Sequence, residues 1–182
     1  MKKKLLLPFM LLLMAAAPPP QALEQVRTAS KALLGELQTT LKSTLSSKGA
    51  PEAVKVCSQV APSIAQNVAK KHHLQIRRVA LKQRNPANKP DAHEQKWLTQ
   101  WQKNPKKIPE EHAEVVTHQG KSTLRYLKPI KIQAACLQCH GAPTQIKPEV
   151  KALLKQHYPG DQATGYKEGD LRGAVTVILA LP

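Results

Sequence analysis

Two thiols and an imidazole fall within five consecutive residues, Cys136-Leu137-Gln138-Cys139-His140. Two spacer residues let both sulfurs of one helical turn face the edge of a flat ring, with the next side chain placed to meet its centre. Thiols add across vinyl groups and imidazole ligates iron, so in an exported protein this spacing is the attachment signature of c-type haem. Gln133 to Cys139 fits one such turn, Gly141 suits its end and Pro143 stops its continuation. A zinc ribbon would need a second cysteine pair, whereas Cys57 is the one further cysteine. A thioredoxin-like pair has no use for His140, and a disulfide across so short a loop is strained.

If His140 takes one side of the iron, the other side needs a donor. Methionine is unavailable to a processed chain, because Met1, Met10 and Met14 all lie within the expected signal peptide. The remaining donors are Cys57 and six further histidines, His72, His73, His93, His112, His118 and His157. Most of these histidines sit beside charges or turns, where surface placement is the default. Cys57 belongs to an apolar stripe of Val54, Cys57, Ala61, Ile64 and Val68 at steps of three and four, and so faces inward. Pro62 lacks an amide proton and is expected to kink or loosen the helix just after it. Iron would hold such a thiol as thiolate, which donates electron density and lowers the reduction potential. A small buried hydrophobe is the alternative use of Cys57.

The elements that must position these groups are legible in outline. Lys2, Lys3 and Lys4 precede an apolar run from Leu5 to Ala17, which ends at Pro18-Pro19-Pro20-Gln21-Ala22. This pattern predicts a signal peptide over residues 1–22, a periplasmic location, and one domain over 23–182 with no membrane span after cleavage. The formal charge of +16, three units of it from those lysines, favours acidic partners or anionic surfaces. Nucleic acid is not expected as a partner, since no binding motif for it is present. Leu23, Val26, Leu33, Leu34, Leu37, Leu41 and Leu45 predict an amphipathic helix to about Ser47, for packing or for pairing with a second copy as a homodimer. A second helix is expected from Ala50, with Pro51 in its first turn. Leu74 to Leu81 reads as a strand, and 82–91 as a turn-rich loop ending at Asp91, which caps a helix bearing Trp97 and Trp101. Those indoles would pack in the core or wall a haem cleft. Ala113–His118 and Ser122–Pro129 predict a hairpin, Pro148–Gln156 a short helix, and Gly173–Leu181 a terminal strand. Helices first and an antiparallel sheet afterwards imply an α+β fold.

Several segments resemble a family of exported c-type haem-binding domains long catalogued as a domain of unknown function. They are Ala53-Val54-Lys55-Val56-Cys57, Ala61-Pro62-Ser63-Ile64-Ala65, and Arg78 through Arg84-Asn85-Pro86-Ala87-Asn88-Lys89-Pro90-Asp91. Cys136 to His140, Tyr158-Pro159-Gly160-Asp161, Gly165-Tyr166 and Gly169 to Ala174 follow in the same order. The resemblance implies a PAS-like antiparallel sheet flanked by N-terminal helices, one covalent haem c on Cys136 and Cys139, and iron held by His140 and Cys57. Arg84, Arg172, Arg78 and Asn85 are the candidates for the haem propionates or the pocket rim, since arginine pairs its donors with a carboxylate.

A redox or small-ligand (NO or CO) sensor is the expected function, with an electron-transfer cytochrome as the alternative. No His/Arg pair suited to peroxide cleavage is evident, so a peroxidase ranks last and no enzymatic activity is expected. With no kinase, cyclase or methyl-accepting segment after Pro182, such a sensor is expected to act on a separate signalling or redox protein with an acidic surface.

Overall fold

The computed structural model describes residues 17–118 and 121–182, so most of the expected signal segment and the hairpin tip lie outside the described residues. Helix α1 (Pro20–Lys55) begins three residues before the expected Leu23, because a proline at the first helical position forfeits no amide bond. At Gly49 the backbone turns to φ 80° and ψ 179°, which breaks α1 before Pro51 reopens it. A π-helical turn (Val56–Val60) then leads into α2 (Ala61–His72). Pro62 cannot donate to the carbonyl four residues back, and the helix widens immediately upstream of it. The expected loosening is therefore a π turn that contains Cys57. α2 closes on His73 in the left-handed region, at φ 52°.

Strands β1 (Gln75–Val79), β2 (His112–His118), β3 (Lys121–Lys131) and β4 (Leu171–Ala180) form one antiparallel sheet in the order β1-β4-β3-β2. The architecture is α+β, as expected. Alternation along the strands divides the core between the two faces. Val175, Val177 and Leu179 of β4, with Leu124 and Tyr126 of β3, pack on Val26, Ala29 and Leu33 of α1 and on Ile64 and Val68 of α2. On the opposite face, Val79, Leu127 and Ala174 meet Leu98 and Trp101 of α3 (Ala92–Lys103). Trp101 thus belongs to the core rather than to a cleft wall.

α3 opens on a capping box, in which Asp91 accepts from the amide of Glu94 at 2.8 Å and Glu94 accepts from the amide of Asp91 at 2.9 Å. The Glu94 carboxylate is 0% exposed and also takes hydrogen bonds from Arg77 (2.6 Å), Arg125 (3.4 Å) and Thr176 (2.7 Å). One carboxylate therefore ties α3 to β1, β3 and β4.

The last connection, between β3 and β4, carries a 3-10 turn (Ala134–Cys136), the short helix α4 (Leu137–His140) and α5 (Pro148–His157). β4 runs so close to β1 that a Cβ on Gly173 would stand 2.1 Å from the carbonyl oxygen of Val79. Gly173→Ala is expected to cost on the order of 3 kcal/mol of stability, read from the denaturant midpoint, because two paired strands must separate. Gly35→Ala, where a Cβ meets nothing within 4 Å, is the control.

Candidate functional site

The apolar stripe of α1 serves two purposes. Its first half packs on the sheet, while Leu34, Leu37, Leu41 and Leu45 form one wall of a cavity of about 190 Å³ beside the end of the sheet. Cys57 from the π turn, Cys136, Cys139 and His140 all border this cavity. Cys57 is separated from the other three by nearly eighty residues of chain. α1 and the π turn bring it across to face the β3–β4 connection.

The cysteine pair is positioned by local bonds. The 3-10 turn sets Cys136, α4 continues through Cys139, and Gly141 donates its amide to Leu137 O at 2.9 Å to end the turn. A Cβ at Gly141 would lie 2.6 Å from that same carbonyl, which explains why the residue after the histidine is glycine. Glu168 accepts from the amide of Ala134 at 3.2 Å, and the irregular stretch after α5 pairs with the motif through Tyr166 N to His140 O (3.0 Å) and Gly165 N to Gly141 O (2.8 Å). No disulfide joins any two of the three cysteines. Burial pushes the Cys139 thiol up to about 11.

His140 donates from Nδ1 to the carbonyl of Ala163 at 2.7 Å. That bond fixes the tautomer and leaves the Nε2 lone pair free to ligate. Burial, followed by the positive charges of Arg84 and Arg172, holds the imidazole well below its ordinary value, so it is neutral near pH 7. Tyr166 meets its ring edge-on, with centroids 6.2 Å apart. Of the other histidines considered, His72, His73, His93, His112 and His157 do not border the cavity.

The four residues expected at the rim separate into distinct roles. Arg78, Arg84 and Arg172 border the cavity. Arg84 is buried and committed: Nε donates to Asp161 at 3.0 Å, and Nη2 donates to Cys139 O at 2.6 Å and Ala163 O at 3.2 Å. It clamps the motif to the Asp161–Ala163 segment, and through Ala163 it steadies the carbonyl that orients His140. Arg172 is the extra residue of a bulge, since Ile130 pairs with Gly173 and Lys131 with Leu171. The bulge turns its side chain into the cavity, where it also donates to Lys82 O at 3.2 Å. Asn85 is the correction: its side chain accepts from Ala87 N at 2.9 Å, capping the 3-10 turn Pro86–Asn88, and it does not border the cavity. A short side chain held by its own loop cannot reach a rim formed by arginines.

Sequence reasoning missed Asp161 and Ala163 as supporting residues. Asp161 also accepts from Ala163 N at 2.7 Å, so it shapes the turn that presents the carbonyl to His140. Its adjacency to Arg84 arises from folding over 77 positions, although the Tyr158-Pro159-Gly160-Asp161 turn was itself conspicuous.

No curated protein matches the chain. Among solved structures it is similar to the crystal structure of the cyanobacterial heme-protein Tll0287, with 30% sequence identity and a TM-score of 0.71 over 91% of this chain and 98% of that one. Residues 19–180 match the Tll0287-like family, and the chain belongs to that family.

Proposed function

We propose that this chain is a periplasmic haem c protein whose iron is held by His140 and Cys57 and which acts as a redox or small-ligand sensor. The observation that carries the proposal is the convergence of Cys57, Cys136, Cys139 and His140 on one apolar cavity, with the His140 tautomer fixed for ligation. The donor set fits the group. Two thiols from one turn suit addition to two vinyl groups, which joins S–H across C=C with no leaving group and no oxidant. Leucines of α1 provide an apolar wall for a porphyrin face, and the chain's similarity to a heme-protein supports the same cofactor. Arg172 and Arg78 would pair with the propionates, while Arg84 holds the frame that orients His140. The antiparallel sheet with helices on both faces is in keeping with a PAS-like domain.

When bound, the haem supplies a one-electron couple and an iron able to take a diatomic ligand. The protein's part would be to hold that group through His140 on a rigid turn and Cys57 on a less regular one. The π turn that carries Cys57 is the candidate for the bistable element a switch requires, because it is the irregular segment between two regular helices. Release of Cys57 would let α1 and α2 rearrange against the sheet and present an altered surface to a separate acidic partner. The first helix of the described chain carries no span, since among the described residues no helix is long and apolar enough to cross a membrane.

The attachment is tested by denaturing mass spectrometry of protein made together with haem-attachment machinery. The unaltered chain is expected to retain the mass of one haem in acid and organic solvent. Cys136→Ser and Cys139→Ser are each expected to lose most of it, and the double variant all of it. An unaltered chain that sheds its pigment on denaturation overturns the covalent assignment.

A further inference from the structure

Away from the cavity, two imidazoles and a carboxylate converge between α3 and the edge strand β2. His93 and Trp97 lie one turn apart on α3, and His112 and Glu114 lie two apart on β2, so all four side chains meet across the interface. One donor atom from each of His93, His112 and Glu114 lies within 4.8 Å of the others. His93 Nε2 contacts Glu114 Oε1, and His112 Nε2 stands 3.5 Å from that same oxygen. Trp97 donates from Nε1 to Glu114 Oε1 at 3.1 Å, and the indole lies against the His112 ring with centroids 3.7 Å apart.

Two atoms in this group are anomalous. His112 Nε2 and His93 Nδ1 are buried and have no hydrogen-bond partner. Buried polar nitrogens are ordinarily satisfied, and His112 Nε2, 3.5 Å from the Glu114 oxygen, is too far for a good hydrogen bond yet at the spacing of two ligands to one cation. Tetrahedral zinc at ordinary bond lengths spaces its ligand atoms by about 3.3 Å, so the His112–Glu114 spacing already matches and only His93 must swing aside.

We propose that His93, His112 and Glu114 form a binding site for a zinc-class divalent cation, distinct from the haem cavity. Two imidazoles and one carboxylate are a donor set of borderline hardness that suits zinc and leaves a fourth position for water. The Trp97 bond to Glu114 supplies the outer partner that orients a ligating carboxylate. Lys96, whose ammonium lies over the Trp97 ring at 4.9 Å, opposes an added positive charge, so the affinity is expected to be micromolar rather than tight. Because β2 is the sheet edge, an occupied site would pin α3 to that edge.

The test uses the mature haem-loaded protein, in which the cavity thiols are engaged, titrated with zinc chloride by calorimetry and tryptophan emission. One equivalent is expected, with an emission change from Trp97. His112→Ala and Glu114→Ala are each expected to weaken binding at least tenfold, while His72→Ala with His73→Ala leaves it unchanged. Zinc absorption fine structure on the unaltered protein, which needs no folded variant, is expected to show imidazole and oxygen scattering without sulfur. Sulfur around the zinc, an affinity indifferent to His112→Ala and Glu114→Ala, or no zinc uptake at micromolar concentrations would each overturn the site.

Discussion

In the haem-loaded protein, Cys57→Ala is expected to abolish the low-spin ferric spectrum of thiolate ligation and to raise the reduction potential. A thiolate on iron stabilises the ferric state by donating electron density, and axial ligands set potentials across a range of about 0.8 V. Removing the sulfur is therefore expected to move the potential upward by on the order of 0.1–0.3 V. Cys57→Met separates charge from occupancy, because a thioether can refill the position without donating as an anion. Both variants are expected to lose the thiolate signature in paramagnetic resonance, while their denatured masses still include the haem held by Cys136 and Cys139. An unchanged spectrum would remove Cys57 from the iron and return the position to another donor. Carbon monoxide added to the reduced, unaltered protein is expected to shift the Soret band and to speed amide exchange over residues 50–68. Inertness to every diatomic would favour the electron-transfer alternative instead.

What could be read without coordinates was set by sequence distance. The cysteine turn, its glycine end and the inward stripe of α2 are local patterns, and each reappears where its spacing put it. Pro62 was legible as a disturbance but not as a π turn, because a missing donor does not specify how the chain rearranges around it. The leucines of α1 all read as one packing face. Only the fold shows that Leu41 and Leu45 run past the sheet and line a cavity. Arg84 could be singled out as a site arginine, yet its commitment to Asp161 depends on a contact across 77 residues. Likewise His93 and His112 each looked like a surface histidine beside charges. Their shared carboxylate appears only once α3 lies on β2. Nothing in a one-dimensional pattern marks Glu94 as buried, since its helix position is an ordinary first-turn acid and its three extra donors come from three strands.

That glutamate carries the largest expected effect on stability. Glu94→Ala leaves the Arg125 side chain, 4% exposed and with Nε already unpaired, dependent on Asp91 alone. It also strands the Thr176 hydroxyl and the Asp91 amide, each of which now donates to the lost carboxylate. Breaking a buried charge pair by removing one partner costs about 3–5 kcal/mol, since the other charge stays desolvated. At roughly 2–4 °C per kcal/mol for a domain of this size, the melting temperature is expected to fall by on the order of 10 °C. Glu94→Gln keeps an acceptor for Thr176 and is expected to lose less. The informative comparison is Glu94→Leu combined with Arg125→Met, which removes both charges and refills the space. If uncompensated charge is the cause, the double variant recovers much of what Glu94→Ala loses, as replacement of buried ion pairs by apolar side chains often does. A double variant as unstable as the single one would instead show that the carboxylate acts by bonding α3 to the strands, and a Glu94→Ala loss below about 1 kcal/mol would deny the network any stabilising role.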